Sequence, residues 1–587
     1  MISTLYRYSS STAPPLRIGV MLDGTVMPRC FATVLSDIIA SNFAQLDVII
    51  FNDSARAASS RKRSTWKKLS DRLAHPQLRQ GILYEVYSRW EGRNAIEPDP
   101  LELVDYSAQL QNIDRIDAQP IVKGFVHRFT ADTVDLIRSR NLDVIVRFGF
   151  NIIRGDILSC ARYGIWSFHH GDNDFYRGAP PHLWEMIERS PLSGVVLQVL
   201  SEELDGGLVL CKSLFPTRSY VSLARNRFGP YWGTVHFVIW KLYELHQFGW
   251  DFVVSRAVPR VPYAGRKKVY KRPNNLEMAR WLGPSLLKKA IRRLTGDRNQ
   301  LVADWRVAIR VGREPLVHGE RGNWDFSSFE WIRNPPGRFY ADPCLFEHKG
   351  QTWLFMEDYD HHTESARISA CPVFADGKFG DVVPVLERPH HLSYPMVISH
   401  DGEIFMIPES GEAECVELYR ATRFPWEWKL EKVLFQCLRL VDTTPLFHEG
   451  RWYFFTSAEY PAGHANLMLL FHADSLTDKW HLHPASPVSS DVRTSRSAGP
   501  IMVDGNRIVR STQDCSNHYG YAFRLNEINR LDPDGFSEAT FATVEPHHVR
   551  GLAGIHAYHR WGAIEVIDGF TRRARNEVLA GAPDPKA

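Results

Sequence analysis

A chain of 587 residues is longer than one hydrophobic core usually organises, so two or three domains are expected. Its 44% hydrophobic and 23% charged residues describe a folded chain without long disordered tracts, and a net charge of +3 argues against nucleic acid as the main partner. The eight cysteines are scattered with no CxxC pair, which signals neither a zinc site nor a disulfide framework and fits reduced thiols in the cytoplasm, while no apolar window of about 18 residues signals a membrane span or signal peptide.

Along the chain, RIGVMLDG (Arg17 to Gly24) and LDVIIFND (Leu46 to Asp53) flank a helix-length segment and predict a β-α-β unit. A basic stretch follows, SRKRSTWKKLSDR (Ser60 to Arg72), and then a polar region that offers less pattern. In RFTADTVDLIRSRNLDVIVRFG, Thr130 caps a helix with Val134, Leu136 and Ile137 on its apolar side, and LDVIVRF is a buried strand. Alternation of this kind predicts a parallel sheet covered on both faces.

SFHHGDNDFYRG (Ser167 to Gly178) is too polar for a core and too dense in side-chain chemistry for a spacer. It reads either as an Asx-rich turn capping the next helix or as a site. His169, His170, Asp172, Asp174 and Asp205 also offer the imidazole and carboxylate groups that suit divalent metals. Further on, residues 264–294 form a basic amphipathic segment with Leu276, Ala279, Leu282, Leu286, Leu287 and Ile291, interrupted by Gly283 and Pro284. Packing between domains and peripheral contact with an anionic membrane both account for it.

After about residue 300 one kind of segment recurs: DPCLFEHKGQTWLFME, YPMVISHDGEIFMIPE, TPLFHEGRWYFFTS, GPIMVDGNRIVRST and IHAYHRWGAIEVID. Each places a turn glycine (Gly350, Gly402, Gly450, Gly505, Gly562) between two strand-like runs. A repeat of roughly 50 residues built from short strands predicts a five-bladed all-β propeller.

The run from Leu142 to Leu210, with Arg177-Gly178 closing the polar loop and ELDGG at Glu203 to Gly207, resembles the catalytic half of the folate-dependent formyltransferases over about residues 15–250. The resemblance implies an α/β Rossmann-like domain in which His169 assists proton movement and Asp205 orients it. Ser167 stands where that family has asparagine, and Gly171, Asp172, Asn173 and Asp174 replace its Ser-Leu-Leu-Pro. Ser167 and Asn173 are then candidate hydrogen-bond donors. The same resemblance sets Asn173, Glu203 and Leu204 beside 10-formyltetrahydrofolate, His170 and Arg177 beside the substrate, and requires no metal.

HLSYPMVISHDGEIFMIPES, LYRATRFPWEWKLEKVL and QDCSNHYG resemble the propeller of plant glucosamine inositolphosphorylceramide transferases and, more distantly, five-bladed glycosidases. The glycosidase likeness implies carboxylates on inner strands, with Asp342 at the first position and Asp442 near the second. The third position reads Ser497-Ala498-Gly499-Pro500 with no carboxylate, leaving Glu357, Glu409 and Asp514 as other acids for the same channel. Asp342, Glu409 and Asp442 are the sugar-binding candidates, and Trp353, Tyr394, Trp426, Trp428 and Trp452 serve either as stacking platforms or as core. The expected plan is a formyltransferase-like domain at 15–250, a basic linker at 251–305 and a propeller at 306–575. The expected activity is formyl transfer to an amine of a sugar or glycan. The rivals are a glycoside-active propeller with a degenerate formyltransferase domain and a non-catalytic glycan-recognition protein.

Overall fold

A computed structural model describes residues 2–54, 81–93, 96–295, 301–312, 324, 326–459, 466–549 and 551–581. The basic stretch at 60–72 lies outside them. The chain divides into two compact units, Met1–Gly296 and Asp297–Ala587.

The first unit is built on a seven-stranded sheet. Its strands lie in the order Leu208–Pro216, Leu192–Val199, Ile165–His169, Val144–Arg147, Leu16–Leu22, Ala44–Asn52 and Asp114–Ala118. The last five are mutually parallel, and Leu192–Val199 runs antiparallel to both its neighbours, Ile165–His169 and Leu208–Pro216. Val144, Ile145 and Val146 are all fully buried, as a strand covered on both faces requires. One face packs Met21, Val48, Ile50, Ile116, Leu142 and Ile145 under helix Ala131–Arg138, whose Val134 and Ile137 point inward. Thr130 caps that helix by accepting from the Thr133 N–H. Helices Arg29–Ile39 and Phe237–Phe248 pack on one another, and the former also covers Ala44–Asn52.

The segment read as a linker belongs largely to this first unit. Helix Asn275–Thr295 runs without interruption through Gly283 and Pro284. Its Met278 and Trp281 are buried against Tyr87, Leu183, Met186 and Leu223. Proline removes the bond to the carbonyl one turn back and crowds that carbonyl, a local cost offset by the packing of the first turns. Leu276, Leu286 and Leu287 remain exposed.

Among the described residues, the second unit holds five four-stranded antiparallel sheets. It begins with strand Leu301–Val311, slightly ahead of the boundary read at 306, and this strand pairs along its whole length with Ile564–Ala574. Blade one therefore follows a fifth blade made from both ends of the unit, which closes the ring. Apolar clusters fill the space between neighbouring sheets, for example Val307, Ile309, Leu345, Leu354 and Val566. Gly350, Gly402, Gly450, Gly505 and Gly562 occupy the predicted hairpin turns, all with positive φ. Lys349, Asp401 and Glu449 share that conformation, giving two successive left-handed residues, the geometry that matches strand twist in a two-residue hairpin.

Candidate functional site

In the first unit, strand Ile165–His169 presents Ser167 and His169 on one face because side chains alternate along an extended chain. Arg147 is the register partner of Ser167 on one neighbouring strand and Gln198 on the other. Cross-strand partners share a face, so Arg147, Ser167, Gln198 and His169 gather where parallel strands end. Asp205 joins them from the turn after Leu192–Val199, holding a left-handed φ of 52°. Gly207 lets this turn close: a Cβ there would lie 1.8 Å from the Val199 carbonyl oxygen.

His169 Nδ1 is 3.5 Å from Asp205 Oδ1, and Gln198 Nε2 donates to the same oxygen at 3.4 Å. His169 Nε2 meets the Tyr176 carbonyl at 2.8 Å, an approach that needs Gly171, where a Cβ would sit 2.8 Å from Nε2. Both ring nitrogens thus face oxygen atoms. Arg147 Nε donates to Ser167 Oγ at 3.0 Å, and its Nη1 donates to the Phe150 and Asn151 carbonyls at 2.9 and 2.6 Å. Ser167 in turn donates to the Phe168 carbonyl at 3.3 Å, so its hydrogen is directed inside the protein. Burial pushes the Arg147 guanidinium below its usual range, opposed first by Asp205 and then by Asp23.

The polar loop is tied down. Lys212 Nζ donates to Asp172 and Asp174 at 2.6 Å each. Arg177 donates to the Asn173 carbonyl and pairs with Glu203, which also pairs with Arg260; Leu204 is half-buried in the same turn. His170 points away from His169 and stacks between Phe168 and Tyr231, the latter with ring centroids 3.9 Å apart. Burial pushes its imidazole down to about 3. The five residues considered for a metal therefore do not gather, since His170 faces elsewhere and the two loop acids are both bonded to Lys212. Beyond the loop, His170, His182 and Glu185 line a small cavity, and burial raises the Glu185 carboxyl to about 8.

In the second unit the first strands of three blades repeat one device. Asp342, Tyr394 and Asp442 each sit at a register shift with φ of 51°, 45° and 50°. Asp568 accepts the His556 Nδ1–H at 2.8 Å and three backbone N–H groups, from Asp342, His556 and Ala557. His556 Nε2 then lies 3.6 Å from Asp342 Oδ1, with Trp305 stacked on the ring at 3.9 Å. Burial would push His556 down, but Asp568 and then Asp342 hold it up, at about 9. Burial raises the Asp342 carboxyl, and Glu357, Asp568 and Asp442 add to the effect. Asp342, His556 and Asp568 place ligand atoms within 4.8 Å of one another, a spacing compatible with a metal ion. The hydrogen bonds converging on Asp568 give it another role, as the anchor of the imidazole.

Arg496 pairs with Asp442 through Nε and lies 3.6 Å from Glu409 and 3.7 Å from Glu459, under the ring of Tyr519. Glu409 and Asp442, two of the three acids chosen from the sequence, thus share one charged cluster, while Asp342 sits in the His556–Asp568 group and is raised in part by the Asp442 charge. Asp514 is held by Arg524, and Glu357 by His391. Tyr394 and Trp452 are buried, Trp353 packs edge-on against Phe424 and Trp426, Trp428 packs against Phe424, and Trp426 is 40% exposed.

Arg147, Gln198, Arg496, His556 and Asp568 were not singled out in the sequence. A signal exists for two of them: VIVR and VVLQVL each carry one strong hydrogen-bonding group in an otherwise apolar strand, and such a group needs a partner.

Comparison with known proteins follows the same division. The glucosamine inositolphosphorylceramide transferase 1 of Arabidopsis thaliana is 29% identical over 264 residues, 41% of this chain and 34% of that protein. A methionyl-tRNA formyltransferase of Lachnospira eligens is 36% identical over 78 residues, 13% of this chain and 25% of that protein. The chain thus spans about a third or less of the length of these relatives. Among solved structures, Zg3597, a family 117 glycoside hydrolase of Zobellia galactanivorans, superposes with a TM-score of 0.31 at 12% identity, covering 49% of this chain and 94% of that one. Residues 331–560 match the family described as glucosamine inositolphosphorylceramide transferase 1, N-terminal, so the propeller is similar to that family.

Proposed function

We propose that the first unit transfers a formyl group from 10-formyltetrahydrofolate to a primary amine of a sugar, and that the charged cluster of the propeller binds the glycan bearing it. The observation that carries this reading is the His169–Asp205 pair at the end of a parallel sheet, within a chain similar in part to a formyltransferase. The groups around it fit an acyl donor: Arg147 and His169 offer N–H donors to a carbonyl oxygen, and Asp205 holds the imidazole. When bound, the folate supplies the formyl carbon. His169 helps move the amine proton, and Asp205 stabilises the charged ring. To meet the formyl oxygen, His169 Nε2 must give up the Tyr176 carbonyl, so the Gly171–Gly178 loop shifts as the donor enters.

The plant relatives are named for a glucosamine transferase, which supports an amino-sugar acceptor on a glycolipid. Exposed Leu276, Leu286 and Leu287, on a helix rich in Lys and Arg, support peripheral contact with the membrane that holds such a lipid. No helix among the described residues is long and apolar enough to cross one. Eight unpaired cysteines are consistent with a cytoplasmic setting.

Purified protein given 10-formyltetrahydrofolate and an amino-sugar acceptor is expected to release tetrahydrofolate, with His169→Ala lowering the rate by about 10² or more. Absence of release from the wild type across amino-sugar acceptors overturns the reading. A second reading, acid–base chemistry on a glycosidic bond in the propeller, is favoured by the Asp568–His556–Asp342 chain and opposed by Ala498 in place of an acid. Release of reducing sugar that survives His169→Ala and is lost in Asp342→Asn would select it.

A further inference from the structure

The row of groups beside His169 contains two atoms whose hydrogen-bonding capacity is unused. Arg147 is fixed by three acceptors through Nε and Nη1, and its Nη2 has no hydrogen-bond partner among the described residues. Gln198 is 2% exposed, and its Oε1 is buried with no partner although its Nε2 is held by Asp205. A buried carboxamide oxygen left unpaired is costly in a folded protein. It persists where something else completes it, and the register places Arg147 and Gln198 on the two sides of Ser167.

We propose that Arg147 and Gln198 form an amide-recognition pair, with Arg147 Nη2 donating to the formyl oxygen and Gln198 Oε1 accepting an N–H of the attacking amine. The proposal rests on the formyl-transfer reading and deepens it by naming the groups that replace the missing asparagine. Ser167 is then a positioning residue: it cannot offer its hydrogen to a ligand, but it accepts from Arg147 Nε and so sets the plane of the guanidinium. A fixed cation in a partly buried place stabilises charge developing on the acyl oxygen more strongly than a neutral carboxamide does. In the step served, the amine nitrogen bonds to the formyl carbon while that carbon's bond to the donor nitrogen breaks. The proton lost by the amine ends on the donor nitrogen, and no oxidant or reductant enters. Attack needs the neutral amine with its lone pair free, and because one N–H is held by Gln198 Oε1 while another leaves as the proton, the amine is primary.

The probe is formamide, which carries both a carbonyl oxygen and N–H groups, titrated into full-length protein while the His169 ring signals are followed by NMR. A saturable shift is expected in the wild type, weakened at least tenfold in Arg147→Met and in Gln198→Leu. No saturable shift in the wild type, or wild-type behaviour in both variants, overturns the proposal. Arg147→Lys keeps the charge and loses the fork, so it serves if the methionine variant does not fold; wild-type titration in it is equally fatal.

In turnover, Arg147→Met is expected to lower kcat by about 10²–10³ with a smaller change in KM. Adding Ser167→Asn in that background should recover at least tenfold, a rescue that a purely structural role would not give. Unchanged kcat in Arg147→Met refutes the role. If the wild type releases no tetrahydrofolate while formamide binding still depends on Arg147 and Gln198, the donor assignment has failed and the amide site stands.

Discussion

Glu185 is a carboxyl group in the interior with the His182 imidazole 3.9 Å away, and burial has raised it to about 8. A free glutamate titrates near about 4.3, so between those values the folded protein keeps a proton that the unfolded chain releases. Stability contributed below this window is lost as pH rises through it, by at most about 1.4 kcal/mol per pH unit. Glu185→Gln cannot ionise, so its melting temperature should fall less than that of the wild type between pH 5 and 8. Parallel curves for the two proteins would show that Glu185 is already ionised. At this scale the sequence was legible only where chemistry sits in a loop. His169 and Asp205 stood out because HHGDND and ELDGG are polar in polar surroundings. Arg147 and Gln198 were hidden inside runs that hydrophobic patterning assigns to core, and only the strand register reveals that they flank Ser167.

Among the elements, the hairpins were the most readable. Gly402 has a φ of 81° and open space where a Cβ would stand, so Gly402→Ala tests the backbone alone. Its cost should be about 1–2 kcal/mol, the penalty for an L-residue in the left-handed region, read as a lowered denaturation midpoint of the full chain. An unchanged midpoint would mean that the turn relaxes to another type. The preceding Asp401 already tolerates this region, as short polar side chains do. Helix Asn275–Thr295 was harder to read, because Gly283-Pro284 is a strong breaker signal locally and the contacts that override it come from residues 87, 183, 186 and 223. The bulges at Asp342, Tyr394 and Asp442 were equally silent, since strand propensity carries no sign of a single left-handed residue.

On the scale of the whole molecule, two pins hold the ring. The Tyr394 hydroxyl donates to the Gly499 carbonyl at 3.0 Å, accepts from the Gly499 N–H at 3.0 Å and meets Thr444 at 2.8 Å, so one side chain joins three blades. Tyr394→Phe leaves the two Gly499 groups unpaired and should destabilise the full chain by about 1–3 kcal/mol in denaturant titrations; a neutral result would mean that water replaces the hydroxyl. The second pin is the pairing of Leu301–Val311 with Ile564–Ala574. A fragment beginning at residue 297 is expected to give a cooperative β-rich domain, and one beginning at 312 to lose cooperativity. Equal behaviour of the two would show that the fifth blade closes without its first strand. Five blades were countable from glycine spacing, but the shared fifth blade was not, because its partners lie nearly the full length of the unit apart. That separation also sets a schedule during synthesis. Val307 and Ile309 leave the ribosome on the order of tens of seconds before the strand that covers them. For that interval the nascent chain carries an open β-edge, so this unit is expected to depend on holding chaperones until its last strand arrives.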